Sequence, residues 1–263
     1  MRTNPIVLIT GASSGIGLEL ARLFARESHD LALVARSYDK LKYVAEDLQQ
    51  TYGVQVKYYV KDLSISSTPK EIFEVLQNEG KNIDVLVNNA GFGWRGAFAQ
   101  MELTNALGMI QVNITALTHL TRLFLPEMIE RGHGKILNVA STAAFQPGPM
   151  MATYYASKAY VLSFSEALSE ELKGTGVTVT AFCPGPTATG FGQRAGFVNE
   201  KIFGNMLSMD SYTVALDGYK GLMKGKPIVI SGWKNWLGTK LVRFIPRPLP
   251  AKLIKKVQQK RGN

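Results

Sequence analysis

The sequence holds a single cysteine, Cys183, so no internal disulfide framework can staple it together. Its three histidines, His29, His119 and His133, stand far apart with no CxxC or HxxxH pattern, and no structural metal is expected. No apolar run approaches the ~18 residues that a membrane span needs. The chain enters apolar sequence at once with "PIVLIT", without the basic and small-residue flanks of a signal peptide, which leads to the expectation of a cytosolic-side protein. Acidic residues are missing from the last forty positions. Residues 224 to 263 hold 11 of the 30 Lys and Arg and none of the 20 Asp and Glu, a charge of +11 against −1 for everything before them. An excess so concentrated argues against a uniformly basic nucleic-acid-binding domain and for a local device near the C-terminus.

What is present is a regular alternation. Short β-branched runs, "IVLIT" from Ile6, "LALVA" from Leu31, "VKYYV" from Val56, "VLV" from Val85, "KILNVA" from Lys135, "VTVTAF" from Val177 and "IVI" from Ile228, are separated by longer stretches. Between the first six, each gap is long enough for a crossover helix. The runs are continuously apolar, as strands buried on both faces require. The expected fold is α/β: a single-domain, Rossmann-type doubly wound sheet of about seven parallel strands with helices on both faces. The longest break in the rhythm lies between the sixth and seventh runs, and a substrate lid is expected at about residues 190 to 215. The catalytic domain is expected to span residues 1 to 232, with a basic amphipathic extension over 233 to 263.

Directly after the first strand comes "TGASSGIG", which places Gly11, Gly15 and Gly17 in a GxxxGxG spacing at the start of a helix. A chain that turns sharply, lets backbone approach a pyrophosphate and packs helix on strand needs glycine for all three purposes. Free N–H groups at the helix N-terminus then suit phosphate. An NAD site usually carries a carboxylate at the end of the second strand. This chain has Arg36 and Ser37 there, and a guanidinium fork suits a 2′-phosphate, so NADP(H) is the expected cofactor.

Further on, "YYASK" sets Tyr154 and Tyr155 just ahead of Lys158. On a helix, residues three and four apart are both neighbours, so spacing alone leaves either tyrosine beside the lysine and favours Tyr154 only modestly. A phenol with its ordinary pKa of about 10 is a poor proton shuttle near neutrality. An ammonium about 4 Å away is worth roughly 4 kcal/mol at an effective dielectric of ~20, which leads to the expectation that Lys158 lowers the tyrosine pKa.

These motifs together resemble the short-chain dehydrogenase/reductase family: "TGASSGIG", "DL" at 62 to 63, "NNAG" at 88 to 91, Asn113, Ser141, "YYASK", and "PGPTAT" at 184 to 189. They run in family order over nearly the whole chain and stop at the tail. The resemblance settles the choice of tyrosine on Tyr154 and implies a catalytic set of Asn113, Ser141, Tyr154 and Lys158. Hydride would pass between nicotinamide and a carbonyl carbon while Tyr154 moves the proton and Ser141 holds the oxygen. Lys158 would also hold the nicotinamide ribose, and Asn113 would support a water relay to it. By the same resemblance Ser13, Ser14 and Ile16 join the glycines around the cofactor, Asp62 and Leu63 face its adenine, and Asn89, Ala90 and Gly91 pass beside its ribose. Pro184, Gly185, Thr187 and Thr189 lie near its carboxamide and phosphates. A homodimer or homotetramer is also implied.

Phe92, Phe145, Met150 and Tyr155, with Ser141 and the lid, are expected to line an apolar substrate pocket suited to a lipophilic or acyl-linked carbonyl. In the tail, Trp233, Trp236, Leu237, Leu241 and Phe244 recur at helical spacing, and Leu253, Ile254 and Val257 follow among four lysines. Such a pattern fits either an anionic membrane interface or an amphipathic helix packed on protein.

Overall fold

The computed structural model describes residues 4–196, 208–246 and 248–260. Seven parallel strands form one sheet: β1 (Ile6–Thr10), β2 (Asp30–Ala35), β3 (Val56–Val60), β4 (Val85–Asn88), β5 (Gly134–Val139), β6 (Val177–Cys183) and β7 (Ile228–Ile230). Their spatial order is 3-2-1-4-5-6-7, and the reversal of direction falls between β1 and β4, which pair in register at Val7 and Val85. In such a sheet the crevice beyond the carboxyl ends, at the switch point, is where ligands bind.

Alternation along each strand divides the core in two. Val7 and Ile9, with Leu31, Leu33 and Val87, face α1 (Gly15–Arg26) and α2 (Tyr38–Tyr52). Leu8, Ala32, Val34 and Leu86 face the other way, toward α3 (Thr68–Asn78) and the helix that carries Leu120 and Phe124. Sheets covered on both faces bury nearly every strand position, so most are apolar and the few polar ones, among them Asn88, Asn138 and Thr180, are buried as well. Only β3, at the edge, has exposed positions.

The second layer contains α4 (Leu103–Ile110), a π-helical turn (Gln111–Ala116), α5 (Leu117–Glu130) and α6 (Ala152–Glu171). A further helix, α7 (Ser211–Met223), returns to pack on α1. Its Val214 and Ala215 are fully buried while Tyr212 is exposed, so the end of the stretch expected as a lid at 190–215 enters the core at Val214. Asp210 caps that helix by accepting from the Thr213 amide at 2.8 Å. Of the remainder, Phe191–Arg194 is one helical turn, and 197–207 lie outside the described residues. The chain closes with α8 (Trp233–Val242) and α9 (Pro248–Lys260).

Candidate active site

The glycine loop is built around backbone that only glycine tolerates. Gly11 has φ +67° and Gly15 φ +58°, and a Cβ at Gly17 would stand 2.4 Å from both the Asn89 amide nitrogen and the Gly11 carbonyl oxygen. Asn89 is the reason for that tightness. Its Nδ2 donates to the carbonyls of Thr10 at 2.9 Å and Gly11 at 3.2 Å, while the Thr10 hydroxyl accepts from the amides of Asn89 and Ala90, each at 3.0 Å. The loop after β4 is thereby stitched to the loop after β1. Asn89 spends its amide on this loop, and Leu63, 6 % exposed, packs in the core beside Val34.

Ser14 stands at the N-cap of α1 without a side-chain cap bond, and the first turn carries no acid. Thr189 closes against Gly15 from the far side, and its Oγ1 accepts from the Phe191 amide at 3.3 Å. A positive helix end, a cradle that a single Cβ would fill and no competing carboxylate fit a dinucleotide pyrophosphate. At the end of β2, Arg36 is two-thirds exposed and 4.0 Å from a carboxylate oxygen of Asp62, with Ser37 at the N-cap of α2.

A buried polar chain fixes the helices that carry the remaining candidates. Asn88 donates to Thr121 at 3.0 Å and to Asn138 at 2.9 Å, and Asn138 donates to Ser165 at 3.0 Å. These bonds lock α5 and α6 onto β4 and β5, and breaking one would leave a buried group unsatisfied at about 1–3 kcal/mol. Asn113 lies in the π-helical turn, 1 % exposed. Its Oδ1 accepts from the Phe92 amide at 3.1 Å, and its Nδ2 donates to the Phe92 carbonyl and to Ser157, each at 3.0 Å. Ser157 in turn donates to the Tyr154 carbonyl at 2.7 Å. The side chain of Asn113 is therefore engaged in positioning Phe92 and α6, a role the expected water relay did not anticipate.

Ser141 follows β5 with extended backbone and accepts from the Ala143 amide at 3.1 Å. Its Oγ also donates to the Pro184 carbonyl at 3.5 Å. Lys158 is 5 % exposed and donates to the Val139 carbonyl at 2.7 Å, with its nitrogen 5.9 Å from the Tyr154 ring centre. Burial pushes the Tyr154 phenol up to about 12, against a smaller lowering by Ser141. It pulls Lys158 down to about 8. The expected lowering of the tyrosine by the lysine is thus not what this geometry gives. Lys158 points at Val139, and the packed surroundings of the phenol dominate.

Phe191 lies over Tyr154 with ring centres 5.2 Å apart. Both rings converge on Gly93, where a Cβ would meet Phe191 at 2.8 Å and Met151 and Tyr154 at 3.3 Å. Gly93 and Met151 were not singled out from the sequence, since nothing but their nearness to "NNAG" and "YYASK" marks them. Tyr155 meets the Tyr154 ring edge-on at 6.0 Å and packs on Gly148, and Met150 adopts φ +69°, a strained value for a side chain of its size. Phe145 lies apart from this group, near Arg243 of the tail. Cys183 is fully buried, and its thiol is pushed up to about 12, which leaves it a small core hydrophobe. Among the described residues no group of side chains could hold a metal ion.

Comparison with known proteins points the same way. The sequence profile described as short chain dehydrogenase matches residues 5–196. The ketoacyl reductase HetN of Nostoc sp. is 36% identical over 185 residues, covering 70% of this chain and 63% of the relative. The very-long-chain 3-oxoacyl-CoA reductase of Anas platyrhynchos is 37% identical over 188 residues, covering 69% of this chain and 59% of that one. The chain thus spans about three fifths of the length of these curated relatives. Among solved structures, a short-chain dehydrogenase from Sphingobium yanoikuyae in complex with NADPH superposes with a TM-score of 0.82 at 33% identity, over 91% of this chain and 93% of that one. With a family match across most of its length, the chain belongs to the short chain dehydrogenase family, and ketoacyl reductases are among the relatives it resembles.

Proposed function

We propose that this chain is an NADPH-dependent reductase that turns the ketone of a lipophilic, acyl-linked substrate into an alcohol. The observation that carries the reading is Tyr154 set under the Phe191 ring, with the buried Lys158 nitrogen 5.9 Å from its ring centre and held by the Val139 carbonyl. The dinucleotide, when bound, supplies the hydride for the carbonyl carbon. Gly11, Gly15, Gly17 and the α1 N-terminus would hold its pyrophosphate, and Arg36 would pair with a 2′-phosphate.

The proton comes from the chain itself. A phenol held at about 12 is protonated at neutral pH, so Tyr154 stands as the donor that reduction requires. Ser141 hydrogen-bonds the carbonyl oxygen and stabilises the charge that develops there. As Tyr154 gives up its proton, Lys158, still mostly charged at pH 7, offsets the phenolate that forms. The acyl assignment is supported by the ketoacyl and very-long-chain 3-oxoacyl-CoA reductases among the relatives. Phe191 and Met151 supply apolar surface near Tyr154.

The test follows depletion of NADPH and, separately, NADH against ketoacyl thioesters, steroid ketones and small aromatic ketones. Faster NADPH turnover on the thioesters is expected. Arg36→Ala should raise the KM for NADPH about tenfold and leave that for NADH nearly unchanged. Equal use of both cofactors by the wild type would remove the role given to Arg36. Tight NADPH binding with no turnover of any ketone would replace the reductase by a cofactor-binding protein.

A further inference from the structure

Helix α8 is turned the opposite way from an ordinary surface helix. Such a helix faces its apolar stripe to the core and its charges to water. Here Trp233, Trp236, Leu237, Leu241 and Phe244, spaced by three and four, form one stripe, and all five are exposed, from 42% at Leu237 to 86% at Phe244. The inward face is polar instead. Asn235 packs on Gly185 and donates to the Ser231 carbonyl at 2.7 Å, while Thr239 is 6% exposed and donates to the Trp236 carbonyl at 2.8 Å. These contacts fix α8 with its apolar side outward. Leu249 and Leu253, 54% and 63% exposed, extend the same character onto α9.

Charge selects the occupant. Lys234, Lys240, Arg243, Lys252, Lys255 and Lys256 are all exposed on these two helices, and no acid occurs anywhere from 224 to 263. A second copy seated on this face would oppose one unbalanced positive field with another. Indole rings with lysines beside them, as at Trp233 with Lys234 and Trp236 with Lys240, suit the boundary between headgroups and acyl chains, where rings lie in the interface and ammonium groups meet anionic headgroups. Among the described residues no helix is long and apolar enough to cross a membrane, so the geometry is that of lying on one.

We infer that the outward stripe of α8, flanked by the basic residues of α8 and α9, docks the chain on an anionic lipid bilayer and turns its substrate cleft toward the lipid. The link to the cleft is Gln258 near the end of α9. It is 2% exposed, its Nε2 lies 3.5 Å from the Met151 sulfur, and its backbone carbonyl accepts from Arg95. Met151 and Tyr154 meet at Gly93, so one helix joins the docking face to the candidate proton donor. The orientation of the cleft rests on the reductase reading; the docking does not.

The experiment uses the full chain in co-sedimentation with vesicles of equal parts phosphatidylglycerol and phosphatidylcholine, and with pure phosphatidylcholine. Binding to the anionic vesicles is expected, weakened by salt and reduced about tenfold or more in a Trp233→Glu/Phe244→Glu variant. Unchanged NADPH binding by that variant, followed by cofactor fluorescence, shows that its fold is intact. Equal binding by variant and wild type overturns the inference, as does equal binding to both vesicle types. Absence of vesicle binding with a concentration-dependent dimer that the variant abolishes assigns the face to a second copy. Vesicle binding without any ketone turnover keeps the docking and removes only the reductase.

Discussion

Two helices of this protein each set an aromatic ring four positions before a lysine, and the two pairs have nearly the same reach. In α6 the Lys158 nitrogen is 5.9 Å from the Tyr154 ring centre; in α8 the Lys240 nitrogen is 6.0 Å from the Trp236 ring. Helical spacing produces both. Their surroundings are opposite. Lys158 is 5% exposed and bonded to the Val139 carbonyl, and burial moves both its pKa and that of Tyr154. Trp236 is half-exposed beside an open lysine. One local motif becomes a proton-handling pair where the fold encloses it and an interfacial anchor where the fold turns it outward.

The largest effect should come from removing the two rings' distinguishing groups. Tyr154→Phe is expected to lower kcat about 10³-fold with NADPH affinity within about twofold, whereas Trp236→Phe should leave kcat nearly unchanged. Steady-state assay of both variants checks this, and similar kcat values would erase the contrast. Burial of Lys158 predicts a pH signature next in size. Its pKa falls from 10.5 unfolded to about 8 folded, so between these values the unfolded chain binds more protons and stability rises with pH. The wild type should gain about 3 kcal/mol on Lys158→Met across that window by urea unfolding. The alkaline loss from Tyr154 is common to both chains and cancels. A gap that stays constant with pH would contradict an enclosed lysine.

A smaller pair of changes carries opposite signs in the two regions. Gly17→Ala places a Cβ 2.4 Å from backbone of the glycine loop and should destabilise by about 1–3 kcal/mol while weakening NADPH binding. Gly238 sits in α8 with nothing within 4 Å of an added Cβ, so Gly238→Ala should stabilise by about 1 kcal/mol. Thermal unfolding of the two variants reads both signs at once.

The sheet was legible because its strands are apolar on both faces and separated by whole helices, from Ile6 to Ile230. The glycine loop was legible because steric need restricts residue type at Gly11, Gly15 and Gly17. The interior of the candidate site was less so. The π-helical turn at Gln111–Ala116 has no periodicity of its own to show, and the attachment of Asn113 to Phe92 joins residues 21 apart. The direction in which Lys158 points depends on the Val139 carbonyl across the fold, and the burial that reversed the expected sign for Tyr154 depends on packing that spacing does not show. For α8 the stripe itself was readable, but periodicity gives only its angular width. Which way it faces is set by Asn235 against Gly185.

The central claim is hydride reduction of an acyl-linked ketone with Tyr154 as proton donor. Its most direct test is incubation of the full chain with NADPH deuterated at C4 and a 3-oxoacyl thioester, followed by mass spectrometry of the product. The account predicts a hydroxyacyl thioester heavier by one deuterium from the wild type and none above background from Tyr154→Phe. Labelled alcohol formed equally by both proteins would contradict it.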